Sequence, residues 1–68
     1  MIQGHLVLQD NGRYIVKDCD YELTSGNVVE VLVSEKWIRT TVESVRGKYY
    51  LTNNFPIDGA YVRIQRSY

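Results

Sequence analysis

The stretch EKWIRTTVESVRGKYYLT, Glu35 to Thr52, decides the fold class. Its residues alternate. If Ile38, Thr40, Val42 and Ser44 point one way, Trp37, Arg39, Thr41 and Glu43 point the other, because successive strand residues face opposite sides of a sheet. The sequence therefore predicts a β-strand that puts its only tryptophan on the face away from the core. The Arg46-Gly47-Lys48 turn then predicts a hairpin into Tyr49 to Thr52.

Working outward, turn signals recur at short intervals and no helical period appears. Ile2 to Leu8 carries Leu6 and Leu8 in phase with Ile2 and ends at Asp10-Asn11-Gly12. Asn-Gly is a strong short-hairpin signal because both residues tolerate positive φ. Arg13 to Val16 returns with Tyr14 and Val16 on one face. Lys17 to Asn27 is polar and acidic, and reads as an extended loop closed by Ser25-Gly26-Asn27. Val28 to Val33 is the most apolar run and predicts a central strand buried on both sides except near Glu30. After the turn Ser34-Glu35-Lys36 comes the opening strand, Trp37 to Val45. Asn53 to Gly59 is a connector with room for one 3₁₀ turn, because Pro56 cannot donate to a ladder. Ala60 to Ile64 is the last strand. The expected core is Leu6, Leu8, Tyr14, Val16, Leu23, Val29, Val31, Val33, Ile38, Val42, Leu51, Val62 and Ile64.

Sixty-eight residues form one domain, 1–68, near the size at which a single core can just offset the loss of chain entropy. Such a chain buries only about 60% of the surface its unfolded form exposes, which leaves no interior for a deep catalytic cleft. Closing the sheet removes exposed edges, so the expected architecture is all-β: a small barrel of five to six antiparallel strands.

Cys19 and His5 are the single cysteine and histidine. One copy therefore assembles neither a disulfide nor a Cys/His zinc site, and catalysis lacks a supported base or nucleophile. His5 shares phase with Gln3 and Val7 and reads as a solvent-facing strand residue. Cys19 lies between Asp18 and Asp20, whose charge disfavours a thiolate nucleophile. The expectation is a non-enzymatic protein with no cofactor and no metal. No basic n-region precedes an apolar run at the N-terminus, and no run approaches the roughly 18 apolar residues of a membrane helix, so a cytoplasmic protein without membrane association is expected.

Eight basic and eight acidic residues balance, but unevenly along the chain. Residues 1–34 hold Asp10, Asp18, Asp20, Glu22 and Glu30 against Arg13 and Lys17. Residues 35–68 reverse this, with Lys36, Arg39, Arg46, Lys48, Arg63 and Arg66 against Glu35, Glu43 and Asp58. Three candidate sites follow. Trp37 and Tyr61, with Tyr21, Tyr49, Tyr50 and Phe55, supply aromatic contact area of the kind enriched in binding hot spots. Asp18, Asp20 and Glu22 alternate along an extended segment and suit a partner's Arg or Lys. As a calcium loop this segment fails, with Leu23 at the tight-turn glycine and Val29 at the bidentate glutamate. Arg39, Arg46, Lys48, Arg63 and Arg66 could hold phosphates beside stacking aromatics, although a neutral chain lacks the basic excess that backbone binding uses.

The order of these features resembles an SH3-type small barrel over roughly residues 20–64. The acidic "DYELTSGN", the strand "VVEVLV", the hairpin into "WIRTTVE", Gly47, a proline-bearing turn and the closing "YVRI" carry the likeness. It implies a fold. The tyrosine pair ahead of the acidic loop in SH3 peptide pockets has only the looser Tyr14 and Tyr21 here, so PxxP recognition is not carried over. Over almost the whole chain the sequence is similar to a family of short proteins from Gram-positive bacteria, their phages and mobile elements, known as a domain of unknown function. Gly4 and Leu6, Gly12-Arg13-Tyr14, Glu22-Leu23 with Gly26, Glu30-Val31-Leu32-Val33, Trp37-Ile38 with Thr40, Tyr49 to Leu51, Gly59 and Val62-Arg63-Ile64 carry that likeness. It implies no mechanism.

The expected function is a binding module for a protein partner, acting as a monomer or small homo-oligomer. Its surface joins Asp18, Asp20 and Glu22 to Trp37, Pro56 and Tyr61, with Arg39 at the rim. The alternatives are a nucleic-acid-binding barrel and a phage anti-defence protein that sequesters an anionic small molecule or blocks a host enzyme, using Arg46, Lys48 and Arg63.

Overall fold

A computed structural model describes residues 2–65. Arg66, counted above among the basic residues, lies outside them. The described chain is all-β and contains no helix. Seven strands replace the expected five to six: β1 (Ile2–Leu8), β2 (Tyr14–Val16), β3 (Tyr21–Glu22), β4 (Val28–Val33), β5 (Lys36–Val45), β6 (Lys48–Leu51) and β7 (Tyr61–Ile64). The additional strand is β3. It arises because Tyr21 and Glu22 pair with Val16 and Ile15 inside the segment read as loop. The connector 53–59 contains no 3₁₀ turn.

The strands form one antiparallel sheet in the order β3-β2-β1-β7-β4-β5-β6, curled into a half-barrel. β5 makes the curl. Its first six residues pair with β4, and its last four, from Val42, pair with β6. The curl brings two hairpin tips together, so that a Cβ on Gly12 would lie 3.9 Å from the carbonyl oxygen of Gly47. At the other side, the chain leaving β2 presses on β1. A Cβ on Gly4 would meet Val16 Cγ1 at 3.0 Å and the Lys17 carbonyl oxygen at 3.2 Å, so a larger residue there requires both neighbours to give way slightly.

The concave side holds the core: Leu6, Tyr14, Val16, Leu23, Val29, Val31, Val42, Leu51, Val62 and Ile64. Thr40 is buried among them, with its hydroxyl 3.2 Å from that of Thr52. Three expected core residues depart from this set. Leu8 is 52% exposed because it stands at the mouth between the two hairpin tips. Val33 and Ile38, at the turn end of the β4–β5 hairpin, are half-buried. Nor is β4 buried on both sides, since Val28 and Leu32 face outward at 49% and 38% exposure. Its position between β7 and β5 is interior to the sheet, but no other described strand covers its convex side.

The turns differ from what their residues suggest. Asn11 does not take positive φ. Only Gly12 does, after a turn in which its N–H bonds Gln9 O at 3.0 Å. That is a three-residue loop ending in a left-handed glycine, and not a two-residue Asn-Gly turn. Between β4 and β5, Val33 pairs with Lys36 across the two residues Ser34 (φ 49°) and Glu35 (φ 67°). Positive φ at both positions defines a type I′ turn, which matches the strand twist but strains any residue with a Cβ. Replacing Ser34-Glu35 by Asn-Gly is expected to stabilise the protein by about 1 kcal/mol, read as a higher urea midpoint at an unchanged slope. An unchanged or lower midpoint would count against the type I′ assignment.

Candidate functional site

The convex side of the β1-β7-β4-β5 sheet presents two cross-strand rows. In one, Gln3 pairs with Arg63, Arg63 with Glu30, and Glu30 with Arg39. In the other, His5 pairs with Tyr61 and Leu32 with Trp37, and the same register sets Tyr61 level with Leu32. Directly opposed side chains on one face are within contact distance, and these rows are in contact.

Trp37 is half-buried on this outer face. Its ring centroid lies 6.1 Å from that of Tyr61 at a tilt of 36°, and the Arg63 guanidinium sits 4.2 Å from the centre of its ring. Tyr61 meets the edge of His5 at 4.8 Å on its other side. Gln3 Nε2 donates to the Tyr61 hydroxyl at 2.9 Å, and His5 Nδ1 is 3.0 Å from Gly59 O. Arg63 Nε donates to Glu30 Oε1 at 2.8 Å. That bond holds the Glu30 carboxyl below its ordinary range. Burial opposes the shift, while the charges of Arg63 and Arg39 add to it. Arg39 is exposed and makes no hydrogen bond or ion pair among the described residues. The cluster therefore carries one unmatched positive charge on a pre-ordered aromatic surface.

Pro56 joins this surface from the connector. It is exposed and lines a shallow hollow with Leu32, Phe55 and Tyr61. The acidic residues are divided. Asp18 and Asp20 flank Cys19, which is exposed and has Sγ 3.7 Å from Gln3 O, so their turn lies along the free side of β1, about two strand spacings or ~10 Å from β7. Glu22 lies apart on β3. It is bound by Arg13 at 3.0 Å and by Gln9 Nε2 at 3.3 Å. The basic residues separate too. Arg46 and Lys48 belong to the β5–β6 hairpin, six residues or more beyond Arg39 along β5, or ~20 Å at strand rise. Glu30, Gln3, His5 and Leu32 are members of the outer face that the sequence reading did not select.

A second hollow, of about 340 Å³, lies in the seam between the hairpin tips and is walled by Leu8, Tyr14, Tyr49 and Ile57, with Lys48 at its rim. At its wall the part-buried Tyr14 hydroxyl donates to Asp58 Oδ1. Burial first, then the bond to Asp58 and its charge, push the Tyr14 hydroxyl up to about 12. No group of three or more His, Cys, Asp or Glu able to hold a metal ion occurs among the described residues, and no described helix is long and apolar enough to cross a membrane.

Fold and face together define a small antiparallel half-barrel with an exposed, pre-ordered aromatic and cationic surface. Residues 4–64 match the family model Domain of unknown function (DUF5348), and the chain belongs to that family. Neither the curated proteins nor the solved structures contain a match to it.

Two titrations check this geometry. Because Glu30 is held low in the folded state, its contribution is present above the ordinary carboxylate range and lost as pH falls through the folded value. Acidification to below the ordinary carboxylate range should release Arg63 from Glu30 and change Trp37 fluorescence, and Glu30→Gln should remove that step; a step retained in the variant would reject the coupling. Tyr14 runs the other way. Its raised folded value gives stability that is full below pH 10 and lost as pH rises toward 12. Denaturant midpoints of the wild type should fall over that window relative to Tyr14→Phe, and parallel curves would refute the assignment.

Proposed function

We propose that this protein is a non-catalytic binding module that engages a protein partner through the convex face of β1, β7, β4 and β5. The observation that carries the proposal is the continuous run of contacts His5, Tyr61, Trp37, Arg63, with Arg63 fixed by Glu30 beside it, on a face that the other described strands leave uncovered. Tyr, Trp and Arg are the residue types that dominate binding hot spots. Their mutual contacts fix rotamers in advance, so less side-chain entropy is lost on association. Exposed Leu32 and Pro56 extend the apolar part of the surface toward the connector, and Arg39 supplies an unpaired charge at its rim. Asp18 and Asp20 border it on the β1 side. The sequence likeness to proteins of Gram-positive bacteria and their phages supports a bacterial or phage origin, and the single cysteine suits a reducing, cytoplasmic setting.

Nucleic acid fits this face less well. Arg63 already covers one side of the indole and is neutralised by Glu30, which leaves Arg39 as the uncompensated cation of the cluster. Phosphate-backbone binding draws on several such charges. The separation of Arg46 and Lys48 from Arg63 keeps these three from sharing a pocket, and the hollow that holds Arg39 and Arg63 also holds Glu30, which offsets one of their charges.

The test is capture from nuclease-treated bacterial lysate by the tagged protein, with cross-linking to identify the contacting residues. Trp37→Ala and Arg39→Glu, each first shown to fold, should weaken the captured complex at least tenfold, and Arg46→Glu on the distal hairpin should not. Capture that needs intact nucleic acid, or that Arg46→Glu abolishes and Trp37→Ala spares, would overturn the proposal.

A further inference from the structure

The outer face ends at β5 in an open edge, and hairpin geometry shows how far that edge runs. In a two-residue hairpin the residues flanking the turn exchange both backbone hydrogen bonds, and bonded pairs alternate from there. Val33 and Lys36 flank Ser34-Glu35, so Lys36, Ile38 and Thr40 direct their backbone groups to β4. Trp37, Arg39 and Thr41 direct theirs the opposite way. On that opposite side Val45 pairs with Lys48 and Glu43 with Tyr50. Thr41 is satisfied by Thr52, whose N–H reaches Thr41 O at 3.0 Å and whose Oγ1 accepts the Thr41 N–H at 3.3 Å. There the neighbouring chain turns away, with Asn54 at φ 66° and its N–H bonded back to Leu51 O at 2.9 Å. The β4–β5 register leaves the main chain of Trp37 and Arg39 without a ladder bond to β4, and outside the ladders no described backbone or side-chain group bonds it. Two N–H and two C=O groups are left along one strand edge.

The side chains beside that edge say what would suit it. Residues of an added antiparallel strand lying opposite Arg39 and Trp37 are two positions apart and point to the same outer face. An acidic side chain opposite Arg39 meets its unpaired guanidinium. An apolar side chain opposite Trp37 meets the indole on the side away from Tyr61 and β7. We infer that the partner segment is an extended strand, added to the Trp37–Arg39 edge of β5, with an acidic and an apolar residue two positions apart. This rests on the reading of the convex face as a protein-binding face. Main-chain bonds would supply the attachment and the two side-chain positions the selectivity, as in other strand additions.

The probe is a synthetic Thr-rich nonapeptide with Glu and Leu two residues apart at its centre, alongside the same peptide with Lys for Glu. The readout is amide hydrogen exchange on the full ¹⁵N-labelled chain. In the free protein, the Trp37 and Arg39 amides should exchange at least a hundredfold faster than those of Ile38 and Thr40. Saturating Glu peptide should slow both at least tenfold, and the Lys peptide should bind at least tenfold more weakly. Arg39→Pro, which removes the N–H and sets a ring in the edge, should abolish protection at Trp37, while Arg39→Ala should weaken affinity and keep it. Proline at an edge position whose N–H faces outward is compatible with the strand.

Slow exchange at Trp37 and Arg39 in the free protein would overturn the inference, because the edge would then be closed. A peptide that shifts the Trp37 indole signal without protecting the amides would overturn strand addition and leave the face reading standing. Protection that grows with protein concentration in the absence of peptide would assign the edge to a second copy and reject a peptide occupant. No response to the Glu peptide would reject the strand as well, while lysate capture judges the face independently.

Discussion

The structure depends on a change of partner within β5. Up to Thr40 its main chain bonds β4. At Thr41 it begins to bond the chain leaving β6, and Val42, with no exposed surface, still reaches back to Asn27. A strand shared between two neighbours in this way must turn a corner, and the corner curls the sheet over Val29, Val31, Val42 and Leu51. It also brings the β5–β6 tip against the β1–β2 tip at Gly47 and Gly12. Before the corner, β5 lies in the β1-β7-β4-β5 part of the sheet, whose convex side no other described strand covers. After it, β5 helps close the core. The exposed face and the unpaired edge are therefore both consequences of the same short segment.

A core this small explains why the indole is outside. Seven of its ten buried residues are aliphatic side chains with relative exposure below 3%, and Thr40 shares their layer. An indole would displace several of them and strain the rest. On the convex face, Trp37 instead buries part of its surface against Tyr61 and Arg63. A cation over an exposed ring contributes about 0.5–1 kcal/mol, and the bond to Glu30 fixes the guanidinium that provides it. The result is an ordered surface whose rotamers are already set.

Much of the fold is legible in strand parity. Tyr14 and Val16 against Ile15, Val29 and Val31 against Glu30, and Thr40 and Val42 against Arg39 and Thr41 all face as the alternation predicts. Parity fails where burial depends on position along the barrel. Leu8 has the phase of Leu6 but stands at the open mouth, and Ile38 has the phase of Thr40 but lies near the hairpin end. Composition misled at β4, where valine and leucine on both faces suggest two covered sides. The outward phase of Trp37 was readable, but its neighbours were not. Tyr61 and Arg63 reach it because β7 inserts between β1 and β4, a pairing between strands about thirty residues apart that no local pattern encodes. Glu22 was read as part of the same surface. Its ion pair to Arg13 follows from the β2–β3 pairing, which two residues are too few to announce. Nothing in Ser34-Glu35 favours positive φ, so the hairpin geometry that sets the β5 edge was equally hidden.

That edge is short, and its shortness bears on what it can do. Long, flat, apolar edges invite copies of the same chain to pair, and proteins usually blunt them with charge, brevity or a bulge. Here brevity and charge coincide: Lys36 stands at one end, Arg39 at the other, and only the backbone groups of Trp37 and Arg39 are open. Two copies meeting edge to edge would gain few main-chain bonds and bring two unpaired Arg39 charges together. An acidic strand gains the same bonds without that repulsion and adds contact with the indole. The charge that would oppose self-association at the edge would thus also select the sign of a strand added there, because one guanidinium would do both.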